Sequence, residues 1–163
     1  MTLSHLDAEG RARMVDVSGK AVTERAATAE GAVRMSREAY EQVAGASVRK
    51  GDVLAVAEVA GVMAGKRTGE LIPLCHPLGL DDLQVVAALD ASLPGVRVTA
   101  TARTTGRTGV EMEALTAAAV ACLTVYDMVK AVDRAMTIEQ VRLLAKSGGA
   151  SGAWQRAGEG ARG

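Results

Sequence analysis

Asp127 and Lys130 stand three residues apart in the run TVYDMVKAV, the spacing that lets a carboxylate and an ammonium meet across one helical turn. Such a pair can move protons when its surroundings tune the two groups, and it is equally the ordinary form of a surface ion pair. Cys75-His76 in LIPLCHPL joins a soft and a borderline metal ligand, but no Cys-x-x-Cys or His-x-x-x-His spacing accompanies it to complete a zinc site. As a nucleophile Cys75 would need a base and an orienting partner. The better reading is a proline-fixed loop that presents His76 and backbone N–H groups to a ligand. Lys50, Lys66, Arg67, Arg103, Arg107, Lys130 and Lys146 are scattered along the chain. Each alone reads as solvated surface, whereas as a set they can converge on an anion. The segment TTGRTG leads into a helix start, where free N–H groups and the helix dipole favour phosphate, although so short a glycine pattern is weak evidence.

These groups need elements to hold them. Residues 109–132, GVEMEALTAAAVACLTVYDMVKAV, contain strong helix formers uninterrupted by proline or glycine after Gly109, and Glu111 and Glu113 in the first turn complement the dipole. One stripe, from Leu115 through Cys122 to Val129, is apolar and reads as core. A second stripe carries Glu113, Thr116, Thr124, Asp127 and Lys130. Glu113 and Asp127 fall on one face but about 21 Å apart along the axis, too far for one small ligand on one subunit. Residues 21–35 alternate loosely and predict a strand, and Ser36 is the N-cap of a short helix through Ala44. Asp52 caps a further helix ending near Thr68 or Gly69. Residues 83–91 and 96–105 make a hairpin around Pro94-Gly95, and 138–146 suggest a last strand.

With the short helix set aside, the order is β-α-β-β-α-β. This predicts an α+β fold, a ferredoxin-like sandwich whose antiparallel sheet is covered by helices on one face. The expected organisation is an arm over 1–20 (His5, Asp16 and Lys20 reading there as solvated groups), one domain over 21–147, and a flexible tail over 148–163. The hairpin strands are aliphatic enough that an uncovered second face predicts a homo-oligomer.

The 163 residues include 19 Lys plus Arg against 19 Asp plus Glu, so no net field draws the chain to nucleic acid or an anionic membrane. There is no Phe, and 48% of residues are apolar, which makes the core aliphatic. Two cysteines, no signal-like start and no run read as transmembrane in length predict a cytoplasmic protein without membrane contact.

The strings MVDVSGK, KGDVLAVAEVAG, LIPLCHPL, TGVEMEALTAAAVACLTVYDMVKAV and VRLLAKSGG together resemble the MoaC family of molybdenum cofactor biosynthesis, the cyclic pyranopterin monophosphate synthases, from about Asp16 to Ser151. The resemblance implies a ferredoxin-like subunit in a hexamer, a trimer of dimers, with sites at subunit interfaces. It implies a lyase that converts 3′,8-cyclo-7,8-dihydroguanosine triphosphate to cyclic pyranopterin monophosphate and diphosphate. It also implies Asp127 as acid/base, Lys50 and Lys130 as catalytic or phosphate-facing lysines, and Leu74, Cys75, His76, Met112 and Glu113 as substrate contacts. Arg25, Lys66 and Lys146 follow as further substrate-binding residues, with Asp16 and Lys20 as additions. No metal site is implied, and Mg²⁺ would accompany the triphosphate. Arg107 stands where the family's TGKTG has lysine, which keeps the charge; Ala150 stands where SGGKSG has one, which removes it. A non-catalytic ferredoxin-like module that binds nucleotides or phosphates and regulates a partner would use the same basic residues, but has no need of an acid/base pair.

Overall fold

A computed structural model describes residues 6–7 and 9–158, so His5 and the last five residues lie outside the described part. The elements run β1 (Thr23–Arg34), α1 (Arg37–Ala44), α2 (Val53–Gly65), α3 (Thr68–Leu71), β2 (Asp82–Asp90), β3 (Gly95–Gly106), α4 (Glu111–Val129), β4 (Thr137–Ser147) and β5 (Trp154–Gln155). The sheet order is β2-β3-β1-β4-β5, with each neighbouring pair antiparallel. The first four strands in this order, with α2 and α4 packed on the sheet, form the expected ferredoxin-like sandwich.

Period-two patterning sets the register. On β3, Val96, Val98, Ala100 and Ala102 are fully buried, while Arg97, Thr99, Thr101 and Arg103 between them point to the other face. Thr28 on β1 pairs with Thr101, and their hydroxyls meet at 3.1 Å. With no Phe in the chain, the core fills by close approach rather than by large side chains. A Cβ on Gly31 of β1 would sit 2.8 Å from Cys122 Sγ of α4, so glycine there lets helix and strand touch. Ser36 and Asp52 cap α1 and α2 by accepting from the N–H groups of Ala39 and Ala55.

Several expectations change. The second helix ends at Gly65, and the expected run to Thr68 or Gly69 is broken by Lys66 and Arg67 before the single turn of α3. The long helix stops at Val129, with Lys130 as its C-cap, because the following residues turn to bring Asp133 to the start of α1, where it accepts from Ser36 N–H. The segment from 148 carries β5, paired with Ala145 and Lys146 of β4. The open sheet face is mixed rather than aliphatic throughout: Val86 of β2 is exposed there, but it pairs with Thr99 of β3, and Thr99 pairs in turn with Glu30, whose carboxylate binds Arg142 at 2.6 Å. Further exposed apolar surface lies on the helices, at Val56, Val59 and Met63 of α2 and Leu123 of α4. Finally, α4 does have the length and apolarity of a membrane span, contrary to the expectation that no run would; its alanines serve to pack it against α2, β1 and β3.

Candidate active site

Lys50, Asp127 and Lys130 converge at the C-terminal end of α4. Lys130 Nζ lies 2.7 Å from Asp127 Oδ1, and Lys50 Nζ lies 2.8 Å from Oδ2, with a further 2.8 Å bond to the main-chain oxygen of Asp127. Local folding explains the meeting. Gly51 takes φ +99, which turns the chain directly after Lys50 and leaves Asp52 free to cap α2. A carboxylate in the last turn of a helix faces the negative end of the dipole, and the two ammonium groups offset that repulsion. Hydrogen bonds from Lys130 and then Lys50 hold the Asp127 carboxyl down at about 2. All three side chains remain about half exposed, at 47 to 57%. The cluster is therefore open to a ligand.

The other end of α4 forms a groove of about 340 Å³ between the arm, the 74–76 loop and the first turn of the helix. Leu74, Cys75, His76, Met112 and Glu113 all line it, together with Val15, Val17, Lys20, Thr108 and Glu111. A smaller pocket of about 240 Å³ around Lys66 and Glu70 shares Cys75, Leu78 and Glu113 with the groove. His76 Nε2 lies 2.8 Å from the carbonyl oxygen of Val15. A carbonyl only accepts, so Nε2 carries the hydrogen, and in the neutral ring Nδ1 is left as an acceptor. This bond also fastens the arm across the groove. Asp16 next to it accepts from Ser18 N–H, which lowers its pKa.

Burial, reinforced by the charge of Glu111, raises the pKa of Glu113, so this carboxyl holds its proton more firmly than a free one. Burial first, and Glu113 second, raise the Cys75 thiol, which disfavours the thiolate a nucleophile requires. Cys122 is buried in the core and pushed up to about 12. The helix start itself has no side-chain cap, but the Glu111 carboxylate folds against Gly109, so an anion approaching there would meet a negative group. Among the described residues no three His, Cys, Asp or Glu side chains gather as metal ligands.

Arg25 and Lys146 join neither group directly. Arg25 donates to the carbonyls of Gly106 and Arg107 behind the groove, and Lys146 contacts the Ser151 hydroxyl. Residue types alone did not single out Val15, Val17, Thr108 and Glu111 as site residues. The available signal was that MVDVSGK and TTGRTG flank the other groups in the sequence, but which side of the groove they close depends on the tertiary fold.

The chain matches a family model described as the MoaC family over residues 14–149. It is 60% identical over 153 residues to a cyclic pyranopterin monophosphate synthase of Methylobacterium sp. strain 4-46, covering 94% of this chain and 96% of that one. A protein of the same name from Dinoroseobacter shibae is 57% identical over 94% of this chain and 97% of its own. The corresponding Brucella ovis protein is 58% identical over 93% and 92%.

Proposed function

The chain belongs to the MoaC family, and we infer from that membership that it is an enzyme of molybdenum cofactor biosynthesis, a lyase acting on a small molecule. It converts 3′,8-cyclo-7,8-dihydroguanosine triphosphate to cyclic pyranopterin monophosphate and diphosphate. The observation that carries the reading at the level of chemistry is the Lys50–Asp127–Lys130 cluster, built from two parts of the chain that are far apart in sequence. A module that only binds phosphate needs cations, whereas a carboxylate held between two of them also supplies a proton acceptor for chemistry.

The residue roles follow from the chemistry. Closing the cyclic phosphate forms a bond from a sugar hydroxyl oxygen to the α-phosphorus and breaks the bond from that phosphorus to the bridging oxygen of diphosphate. Negative charge grows on the leaving oxygens, and Lys50 and Lys130 are the groups to neutralise it. Asp127 takes part in proton transfer. While it is clamped by two ammonium groups it is a weak base, so a substrate phosphate that draws one lysine away makes it a stronger one. Glu113, His76 and the backbone of Leu74 and Cys75 hydrogen-bond the guanine-derived ring, and Lys20, Lys66 and Lys146 add positive charge around the phosphates. Mg²⁺, where used, arrives on the triphosphate.

The two ends of α4 serve one reaction only if different subunits supply them, because Glu113 and Asp127 are about 21 Å apart along the axis. A hexamer built as a trimer of dimers, with sites at its interfaces, meets that requirement. The exposed apolar residues Val56, Val59, Met63 and Leu123 give such an assembly a surface to bury. The free thiols Cys75 and Cys122 and the balanced charge suit a cytoplasmic protein with no membrane or nucleic-acid partner. The test is to incubate the purified chain with the cyclised GTP precursor and assay for the pterin and for diphosphate. A well-folded oligomer that forms neither would refute the assignment.

A further inference from the structure

The guanidinium of Arg25 makes two bonds to backbone, and the residue also lines a pocket of about 370 Å³ shared with Arg103 and Ser147. Its Nε donates to the carbonyl of Gly106 at 3.0 Å, and one terminal nitrogen donates to that of Arg107 at 3.2 Å. The same group lies against Gly149 so closely that a Cβ there would stand 2.1 Å from Nη1. Gly148 is held as tightly, since a Cβ on it would stand 2.1 Å from the carbonyl oxygen of Glu24. Both glycines have positive φ, +88 and +75, so the chain leaving β4 folds over the start of β1 along a path that side chains rarely permit. Three segments far apart in sequence thus meet on one side chain: the first residues of β1, the β3–α4 loop and the β4–β5 connection.

The β3–α4 loop is part of the groove, since Thr108 and Gly109 line it and Glu111, Met112 and Glu113 follow at once. We propose that Arg25 is a positioning residue, whose guanidinium locks the β3–α4 loop and the Gly148–Gly149 turn together and so sets the shape of the groove, rather than a group that binds the substrate phosphates itself. The planar fork suits such a lock, because two donors reach successive carbonyls while the flat face admits the glycine backbone. A lysine ammonium has the same charge, but neither the reach to both carbonyls nor the flat face. This inference deepens the proposed synthase function and rests on it for its kinetic consequences.

The experiment compares wild type with Arg25→Lys, Arg25→Gln, Gly149→Ala and the double variant Arg25→Gln/Gly149→Ala. Kinetics use the cyclised GTP precursor, and backbone hydrogen exchange is measured without substrate. Arg25→Lys should raise KM about as much as Arg25→Gln, roughly tenfold, with kcat within about twofold, because lost groove shape weakens binding in ground and transition states alike. Exchange should quicken in both the 106–110 and the 148–153 segments, and Gly149→Ala should do the same. The double variant should be no worse than the single ones, as expected for two parts of one contact. Retention of wild-type KM by Arg25→Lys but not by Arg25→Gln would overturn the proposal in favour of a charge contact with phosphate. Faster exchange in only one of the two segments would also overturn it. Absence of turnover in wild type would instead refute the synthase reading, leaving the exchange results to decide the lock.

Discussion

Lys50 Nζ bridges the side-chain and main-chain oxygens of Asp127, both at 2.8 Å, so a residue just before α2 is tied to the last turn of α4 across 77 positions of sequence. Lys130 approaches the other carboxylate oxygen at 2.7 Å. One carboxylate therefore fixes the separation of two ammonium groups. Whatever anion binds here meets a preset pair of charges, and Asp127 can be freed only by moving one of them.

Asp127→Asn removes the proton acceptor and releases both lysines, so turnover should fall about a hundredfold or more. Stability at neutral pH should fall measurably but modestly, because these exposed pairs are well solvated. The acid dependence has a definite sign. The folded pKa of Asp127 is about 2, below its ordinary 3.8, so its stabilising contribution is complete above about pH 4 and is lost as pH falls through about 2. Urea midpoints of wild type and variant at pH 6, 4 and 2.5 should converge at the acid end. Unchanged turnover, or a midpoint difference independent of pH, would contradict the assignment.

Glu113 should behave in the opposite sense. Its folded pKa is raised, first by burial, so the native state keeps a proton that the unfolded chain gives up, and stability falls as pH rises past 4.5. Glu113→Gln removes that penalty. The variant should gain thermal stability relative to wild type at pH 7 but not at pH 4, while losing about tenfold or more in kcat/KM if the carboxyl reads the substrate ring. A melting-temperature difference that is the same at both pH values would show that the group carries no such strain.

The secondary structure was largely legible because its signals are local. Alternation in VRVTATARTT gave β3, Ser36 and Asp52 marked helix starts, and the alanine-rich run gave α4 to within a few residues of each end. The strand order followed from the order of elements. What was not legible depends on contacts between distant residues. The fastening of the arm by His76 and Val15 is one example, and the turn of the chain at Lys66 and Arg67 is another. The polar share of the open face comes from β3, which alternates apolar and polar residues and gives its apolar set to the helices, while Val86 of β2 stays exposed on that face. For the site, spacing alone suggested that Asp127 meets Lys130. Lys50 entered through family resemblance, since no local pattern connects it to α4. The 21 Å problem was readable from helix geometry, and it motivates the next test.

If the two ends of α4 complete each other across an interface, two individually inactive variants should complement. Asp127→Asn leaves the groove intact, and His76→Ala leaves the lysine–carboxylate cluster intact. Co-expression or mixing through a reversible dissociation step should place wild-type halves opposite one another in about a quarter of sites and restore activity accordingly. Val59→Asp, on the exposed apolar stripe of α2, should shift the mass seen by light scattering toward smaller species and reduce activity while leaving the circular dichroism of the subunit unchanged. No recovery on mixing, with mixed oligomers verified by mass, would mean that each site lies within one subunit. A monomeric wild type at micromolar concentration would overturn the assembly itself.

Gly61 offers a test of how the helix layer is packed. In a helix interior alanine is favoured over glycine by about 1 kcal/mol, so propensity alone predicts that Gly61→Ala stabilises. The surroundings predict the reverse. A Cβ at Gly61 would lie 2.9 Å from Val85 Cγ1 and 3.0 Å from the carbonyl oxygen of Ala117. Neither neighbour gives way cheaply: Val85 is buried and β-branched on β2, with few rotamers open to it, and Ala117 O belongs to the backbone of α4. The new methyl must therefore push α2 away from α4 or from the sheet, and overpacking of this kind costs about 1–3 kcal/mol. The net effect should be a loss of up to about 2 kcal/mol in urea unfolding, with a smaller loss when Val85→Ala is combined with it to make room. Stabilisation by Gly61→Ala alone would show that α2 and α4 can separate without cost, and that their close approach does not fix the distance between the groove and the 50–52 turn.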